Sequence, residues 1–224
     1  MTTQTIKKQL TFNQAMTQFK KYVAKSDTRP ALKYVQYHEN DYLVATNGYV
    51  LLRIHTDYIT DIPKDYATAS LINPKTLEIR NDLKYPEVSR IIPNYRDSNI
   101  NIVLNDNIKD LQDVLKQLKP IYKHSKNKVV KMELSKDKTI LSSKGYDKDI
   151  EIYEEHILNN VYSDYDNLTI SFNGDYFQNV LTVAKKFNGL TKNNSMLHFY
   201  SNVMPFLFTQ PGVFDAIVMP VRTF

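Results

Sequence analysis

The side chains in this sequence that could carry covalent or metal chemistry are not grouped as that chemistry requires. The five histidines, His38, His55, His124, His156 and His198, show no HxxxH or HExxH spacing, so no pair is set one helical turn apart to share a metal ion. Cysteine is absent, which removes disulfides and thiolate metal sites and makes a reducing interior the natural compartment. The acidic stretch from Asp147-Lys148-Asp149 to Glu154-Glu155 reads as a solvated strand edge rather than a metal cluster. With five glycines and neither a GxGxxG nor a Walker sequence, nucleotide-dependent chemistry is not expected. Nothing singles out a Ser-His-Asp set. The expectation is therefore a protein without catalytic residues, metal or cofactor.

Two other patterns carry information. Lysines recur on three helical stretches: Lys20, Lys21 and Lys25; Lys109, Lys116 and Lys119; Lys185 and Lys186. Ammonium groups on helix faces can meet phosphates as point charges without reading bases. Taken singly, each reads first as an ordinary solvated lysine, and Lys185 and Lys186 also suit the dipole of a helix C-terminus; the case for phosphate contact rests on all three helical stretches carrying them. The second pattern is the run from Phe214 to Phe224, hydrophobic almost to its last residue, where undocked chain ends are polar. Ile217, Val218, Met219 and Val221 read as a strand in which Ile217, Met219 and Val221 share a face, and Pro220 fits only where no ladder needs its missing N–H. Such a strand either completes a core or walls a groove for a partner peptide.

Behind these lie recurring elements. Gln4 to Leu10 is expected as a strand, with Thr11 or Asn13 capping a helix that buries Ala15, Met16, Phe19, Tyr22 and Val23. Arg29 to Tyr37, Tyr42 to Thr46 and Tyr49 to His55 read as strands, the last two joined by Asn47-Gly48, the strongest tight-turn dipeptide present. Pro74 to Leu83 is a possible short helix, and the stretch from Arg90 to Asn99 a domain boundary. Ile100 to Leu104 opens a second part. There Asp106 or Asn107 caps an amphipathic helix with Ile108, Leu111, Val114, Leu115 and Leu118 inward, ended by Pro120. Strands follow over Val129–Leu134, Thr139–Ser142 and Asp149–Tyr153. Leu168–Phe172, a helix from Asn173-Gly174-Asp175 to Asn188-Gly189, and strands at Met196–Ser201, Phe206–Thr209 and the terminus repeat the order of strand, helix and three strands.

The 224 residues suffice for two α+β domains of ~100 to 120 residues each, placed at 1–96 and 97–224. Lys plus Arg number 29 against 24 Asp plus Glu, a net charge of +5, which permits nucleic-acid contact without demanding it. No stretch resembles a signal peptide or a membrane span, so a cytoplasmic protein is expected, in the host cytoplasm if phage-encoded.

Four local sequences, in order, resemble the bacterial-type β sliding clamp, the DNA polymerase processivity factor. They are Arg29-Pro30-Ala31-Leu32 with Ala45-Thr46-Asn47-Gly48-Tyr49-Val50-Leu51; Tyr85-Pro86-Glu87-Val88 through Pro93; Phe172-Asn173, Tyr176 and Val180-Leu181; and Met219-Pro220-Val221-Arg222. The resemblance implies a DNA-clamp fold of two clamp-like domains matching the family's second and third, the first abbreviated between Asp57 and Tyr85. It implies a homo-oligomeric ring around duplex DNA, most simply a trimer, that binds any sequence and slides, with the eight helix-borne lysines facing the hole. It also implies a peptide groove built from Leu32, Thr46, Gly48, Leu51, Pro93, Ile217, Met219, Pro220 and Val221, binding DNA polymerase and other clamp-binding peptides, with a clamp loader as a further partner. Tyr49-Val50 departs from the family's His-Arg at the turn. The alternative is a clamp-like protein that does not encircle DNA and competes for clamp-binding peptides, or binds a host clamp or loader.

Overall fold

The computed structural model describes residues 9–38, 41–67, 71–104, 107–135, 138–147, 150–158, 167–188 and 194–222. The first elements are β1 (Leu10–Thr11) and α1 (Phe12–Phe19). Thr11 caps α1 reciprocally, its Oγ1 accepting the Gln14 N–H at 3.3 Å while Gln14 Oε1 accepts the Thr11 N–H at 3.0 Å, so two of the orphan amides at the helix start are satisfied. Phe12, Ala15, Met16 and Phe19 form its buried stripe, and turns through Tyr22 bury that residue and Val23 as well. The strand expected from Gln4 lies mostly outside the described residues.

Residues 30–33 form a 3-10 turn, and the strand expected from Arg29 begins only at Val35. Pro30 has no N–H to give a ladder, and the Leu32 N–H closes a tight turn on the Arg29 carbonyl at 3.0 Å. Then come β2 (Val35–His38), β3 (Tyr42–Thr46), β4 (Val50–His55), β5 (Ile59–Thr60), α2 (Lys64–Ala67), β6 (Leu71–Ile72) and β7 (Ile79–Arg80). The helix expected over residues 74–83 does not form. Asn73 Oδ1 takes the amides of Lys75 and Thr76 at 2.9 and 3.4 Å, and Leu77 turns through φ 62, so the chain reverses into the β6–β7 hairpin.

The second part contains β8 (Ile100–Val103), α3 (Ile108–Tyr122), β9 (Val129–Leu134), β10 (Thr139–Asp147), β11 (Ile150–Leu158), β12 (Leu168–Asn173), α4 (Gly174–Phe187), β13 (Met196–Phe199), β14 (Phe206–Gln210) and β15 (Phe214–Val218). Strand, helix and three strands thus occur twice. Before residue 100 the order is β1, α1, β2, β3, β4, followed by a reduced copy, β5, α2, β6, β7, whose helix has 4 residues. Pro120 does not end α3 as expected. It lies on the exposed side, and the Lys123 N–H to Lys119 carbonyl bond of 3.2 Å carries the last turn past it. Asn173 caps α4 by accepting the amides of Asp175 and Tyr176 at 3.0 and 3.3 Å.

Among the described residues the strands make a nine-stranded sheet in the order β7-β6-β2-β3-β4-β15-β14-β13-β8, a four-stranded sheet β11-β10-β9-β12 and a parallel pair β1-β5. The large sheet joins the two parts of the chain through antiparallel β4 and β15, with Leu51 opposite Ile217 and Arg53 opposite Asp215. Strand alternation divides its side chains. Leu43, Ala45, Val50, Leu52, Ile54, Phe214, Ala216 and Val218 pack with α1, α3 and α4 in the larger core. On the other face Val44, Leu51, Leu207 and Ile217 meet Leu32, Tyr34, Tyr85, Val88 and Tyr200 in a smaller core. No helix among the described residues is long and apolar enough to cross a membrane.

Beside that smaller core, Arg53 Nε donates to Asp215 Oδ2 at 2.6 Å, Thr209 Oγ1 donates to Asp215 Oδ1, and the guanidinium lies 4.7 Å from the Tyr42 ring centre. The Asp215 side chain is only 14% exposed and that of Arg53 28%, so Asp215→Ala strands a largely covered guanidinium. A loss of about 1–3 kcal/mol is expected. A denaturation double-mutant cycle with Arg53→Ala checks it, and additive losses would mean that the pair contributes nothing.

Candidate functional site

The β3–β4 turn and the segment after β15 meet to form a concave apolar surface. Gly48 sits at φ 91, a left-handed conformation that suits glycine. Thr46 Oγ1 accepts the Gly48 N–H at 3.0 Å and donates to the Val50 carbonyl at 2.9 Å, while Asn47 Oδ1 accepts the amides of Tyr49 and Val50 at 2.9 and 3.1 Å. From across the smaller core the Tyr85 hydroxyl accepts the Thr46 N–H at 3.1 Å. Burial pushes the Tyr85 phenol well up, so it stays protonated. The turn is thereby fixed from both sides.

β15 ends at Val218, and its chain continues between the two larger sheets. The Met219 N–H donates to the Tyr49 carbonyl at 2.9 Å, and the Val221 N–H to the Ser171 carbonyl of β12 at 2.7 Å. Pro220, bridged to Phe172 between them, needs no N–H, as its place in the sequence predicts. Thr46, Gly48, Val50, Leu51, Ile217 and Met219, with Tyr49 and Ile91 at the rim, line one pocket. A neighbouring, more polar one is lined by Asn127, Asn173, Tyr176, Pro220, Val221 and Arg222, and shares Tyr49 and Met219 with the first. The Tyr49 and Tyr176 rings stack at 6.5 Å.

Of the residues expected in a groove, Thr46, Gly48, Leu51, Ile217 and Met219 are together in the first pocket, and Pro220 and Val221 are in the second. Ile217 and Met219 keep the shared face that alternation predicts, whereas Val221 turns to β12. Leu32 lies beneath, in the smaller core, and Pro93 is half-buried and lines neither pocket. Ile91, 51% exposed, stands at the rim instead. Tyr49 is 64% exposed. The signal for both was an apolar or aromatic side chain with no core role beside a residue already selected.

On the opposite side of the large sheet stand the lysines. Lys20, Lys21, Lys25, Lys109, Lys116, Lys119 and Lys185 are exposed and Lys186 half-exposed. Lys20, Lys21 and Lys25 are not helix-borne as expected, because α1 ends at Phe19 and the Lys21 and Tyr22 amides turn back in tighter bonds to the Gln18 and Phe19 carbonyls. Several have carboxylate neighbours where α3 meets α4. Lys116 pairs with Asp113 at 2.7 Å, and the hydrogen bond and charge of Lys116, with the charges of Lys109 and Lys185, hold that carboxyl below its usual range. Asp175 receives Lys128 at 2.5 Å, Lys119 at 3.9 Å and the Tyr122 hydroxyl at 3.2 Å. Burial alone would raise the Asp175 pKa, but these donors outweigh it and the net shift is downward.

A depressed folded-state pKa stabilises the fold above the ordinary Asp value, and that stabilisation is lost as pH falls through the depressed one. Asp175→Asn should therefore flatten the acid limb of a stability-versus-pH curve below about pH 4. Denaturant melts at several pH values check this, and an unchanged acid limb would show that Asp175 is not part of it.

Residues 89–222, well over half of the chain, match the family described as DNA polymerase III beta subunit, C-terminal domain. No curated protein sequence matches. Among solved structures, the chain is similar to a DNA polymerase sliding clamp from Bacillus subtilis, with a TM-score of 0.68 and 22% identity, over 95% of this chain and 62% of that one. It is similar also to the DNA polymerase III subunit beta from Pseudomonas aeruginosa (TM-score 0.68, 15% identity, 94% of this chain and 64% of that one). The beta subunit from the DNA polymerase of Streptococcus pyogenes gives a TM-score of 0.66 at 18% identity, again over 94% and 64%. The chain thus spans less than two thirds of each of these structures. With antiparallel sheets backed by helices in the sliding-clamp arrangement, and with the match over residues 89–222, the chain belongs to the family defined by the C-terminal domain of the DNA polymerase III beta subunit.

Proposed function

We propose that this protein is a DNA sliding clamp that acts without covalent chemistry, encircling duplex DNA as a homo-oligomeric ring, most simply a trimer, and tethering replication proteins through the pocket between the β3–β4 turn and Met219. Residues 1–96 and 97–224 would be its two clamp-like units. The observation that carries this reading is the separation of two surfaces on one sheet: an apolar pocket on one face, and on the other exposed lysines borne by α3, by α4 and by the turns that follow α1. Lysines without base-reading partners favour attraction that is independent of sequence and falls with salt. The pocket suits an extended peptide with hydrophobic anchors, of the kind carried by a polymerase or other partner. A clamp loader would be a further partner.

A second reading has an observation of its own. The reduced copy β5, α2, β6, β7 ends the large sheet with a strand of 2 residues, Ile79–Arg80, whose arginine is held by Asp82 at 2.5 Å. So short an edge offers little backbone for a neighbouring subunit, which favours a clamp-like protein that competes for peptides without encircling DNA. The solution mass separates the two: a ring-sized oligomer supports the first, a monomer the second.

Encirclement predicts retention on closed circular duplex after a salt wash and loss from linear duplex of the same sequence, since a ring slides off free ends. Equal retention on both would remove encirclement. Changing Lys109, Lys116 and Lys186 together to Glu should abolish association, with exposed sites costing no more than about 0.5 kcal/mol each in stability. An unchanged salt dependence would show that they do not face DNA.

For the pocket, a short peptide with a Gln and two large hydrophobic anchors should bind with micromolar affinity, about 8 kcal/mol. Met219→Ala should weaken it by about 1–2 kcal/mol. Truncation before Val221 is a less specific probe, because it also removes the amide that Ser171 accepts. Titration calorimetry with wild type and Met219→Ala, both checked by circular dichroism, is the measurement. Equal affinities would remove Met219 from the site.

A further inference from the structure

Away from the peptide pocket, the second part of the chain is not packed solid. Between its two sheets, beside the first turn of α3, lies a partly open cavity with about 290 Å³ of empty space. Strand register explains its walls. Ile102 of β8 is paired with Leu197 of β13, and Leu104, two residues after Ile102, returns to the same face. Met132 of β9 lines the cavity from the four-stranded sheet, and α3 contributes Leu111, with Asn107 where the helix begins. None of the lining residues is charged.

Two hydroxyls lie in this apolar setting. Thr139, the first residue of β10, lines the cavity and is 2% exposed, and its Oγ1 meets no hydrogen-bond partner among the described residues. Ser195 is equally buried, and its Oγ is likewise unpartnered among them. The Ser195 carbonyl accepts the Leu104 N–H at 2.8 Å, which sets this residue beside a wall of the cavity. It also stands two residues before Leu197, on the face that Leu197 uses.

A buried hydroxyl without a partner is destabilising, and an unfilled apolar cavity deprives its lining of dispersion contacts. One occupant can relieve both. A charged molecule would lose its hydration with no counter-charge in the walls, which excludes phosphates, nucleotides and ammonium ions. The space exceeds the about 150 Å³ of a cavity known to hold benzene and falls short of most of the ~300–1,000 Å³ range of drug-sized sites, so a single substituted ring fits. The Met132 sulfur favours an aromatic ring, and a hydroxyl on that ring can donate to one of the two protein hydroxyls and accept from the other.

We propose that this cavity is a binding site for a neutral, one-ring phenol. Its ring lies among Ile102, Leu111, Met132 and Leu197, and its hydroxyl supplies the partner that Thr139 lacks. The site is separate from the peptide pocket and does not depend on whether the protein encircles DNA. A lone water would satisfy the polar end and leave the aliphatic walls without a contact.

The test uses the full chain with methyl-labelled methionine, titrated with phenol, toluene and benzoate and followed by NMR. Phenol should shift the Met132 methyl resonance, leave that of Met219 at the peptide pocket in place, and raise the melting temperature. Thr139→Val removes the hydroxyl and keeps the branched shape. It should bind phenol about tenfold more weakly than wild type does, and toluene equally well. Because the hydroxyl it loses has no partner, it should melt no lower than wild type. Benzoate should leave Met132 unmoved. A Met132 resonance that does not respond to phenol, or a response confined to Met219, overturns the site and leaves water as its occupant. Equal phenol affinity in wild type and Thr139→Val, or benzoate bound at Met132 as tightly as phenol, overturns the assignment to a neutral phenol held by Thr139.

Discussion

The antiparallel pairing of β4 with β15 is the constraint on which the other features depend. It joins residues 50–54 to residues 214–218, and with them the two parts of the chain, into one sheet. Remove it and the large sheet separates into two, each with a long unpaired edge. The pairing is held by more than backbone hydrogen bonds. Val50, Leu52, Ala216 and Val218 seal it on the helix side, Leu51 and Ile217 on the other, and the Arg53–Asp215 ion pair crosses it beside them. Because backbone partners, apolar cores and the ion pair agree on one alignment, a slip by one residue would turn Ile217 toward the helices and Val218 toward the pocket.

That alternation also explains how one thin sheet can present two unlike surfaces. Leu51 and Leu52 are neighbours in sequence, yet the first lies under the pocket and the second in the core that supports the helices. The pocket and the lysine-bearing helices are therefore separated by little more than the thickness of the sheet. The linker that carries Tyr85, Val88 and Ile91 closes the pocket side, and its Tyr85 hydroxyl accepts the amide of Thr46, a buried turn residue that would otherwise lack a partner.

Much of the local structure could be read from the sequence. The apolar spacing of Ile108, Leu111, Val114, Leu115 and Leu118 marked α3, Thr11 or Asn13 as cap marked the start of α1, where Thr11 takes the role, and Asn47-Gly48 marked the hairpin, because in each case the cause lies close by in the chain. Failures occurred where a single side chain or ring decided a local competition. Pro30 favoured a 3-10 turn over a strand, Asn73 favoured a reversal over a helix, and Pro120 was tolerated on an exposed helix face. The site was legible only in part. Nothing in composition or periodicity brings Leu51 to Ile217, residues linked by a pairing that spans most of the chain. Resemblance supplied that juxtaposition, and it also selected Pro93, although Ile91 forms the rim. Tyr49 was noticed as a departure from the family turn, but its position between two pockets follows only from the fold.

Pro220 has a consequence for exchange with solvent. The amide protons on either side of it are committed to different sheets: that of Met219 to the Tyr49 carbonyl in the β3–β4 turn, that of Val221 to Ser171 in β12. Proline itself carries no amide proton, so no continuous ladder couples the two. Local opening of one sheet exposes one of these protons and leaves the other protected. In deuterated solvent, Met219 and Val221 therefore act as two separate clocks set within three residues, one timing the release of the turn and the other the detachment of β12.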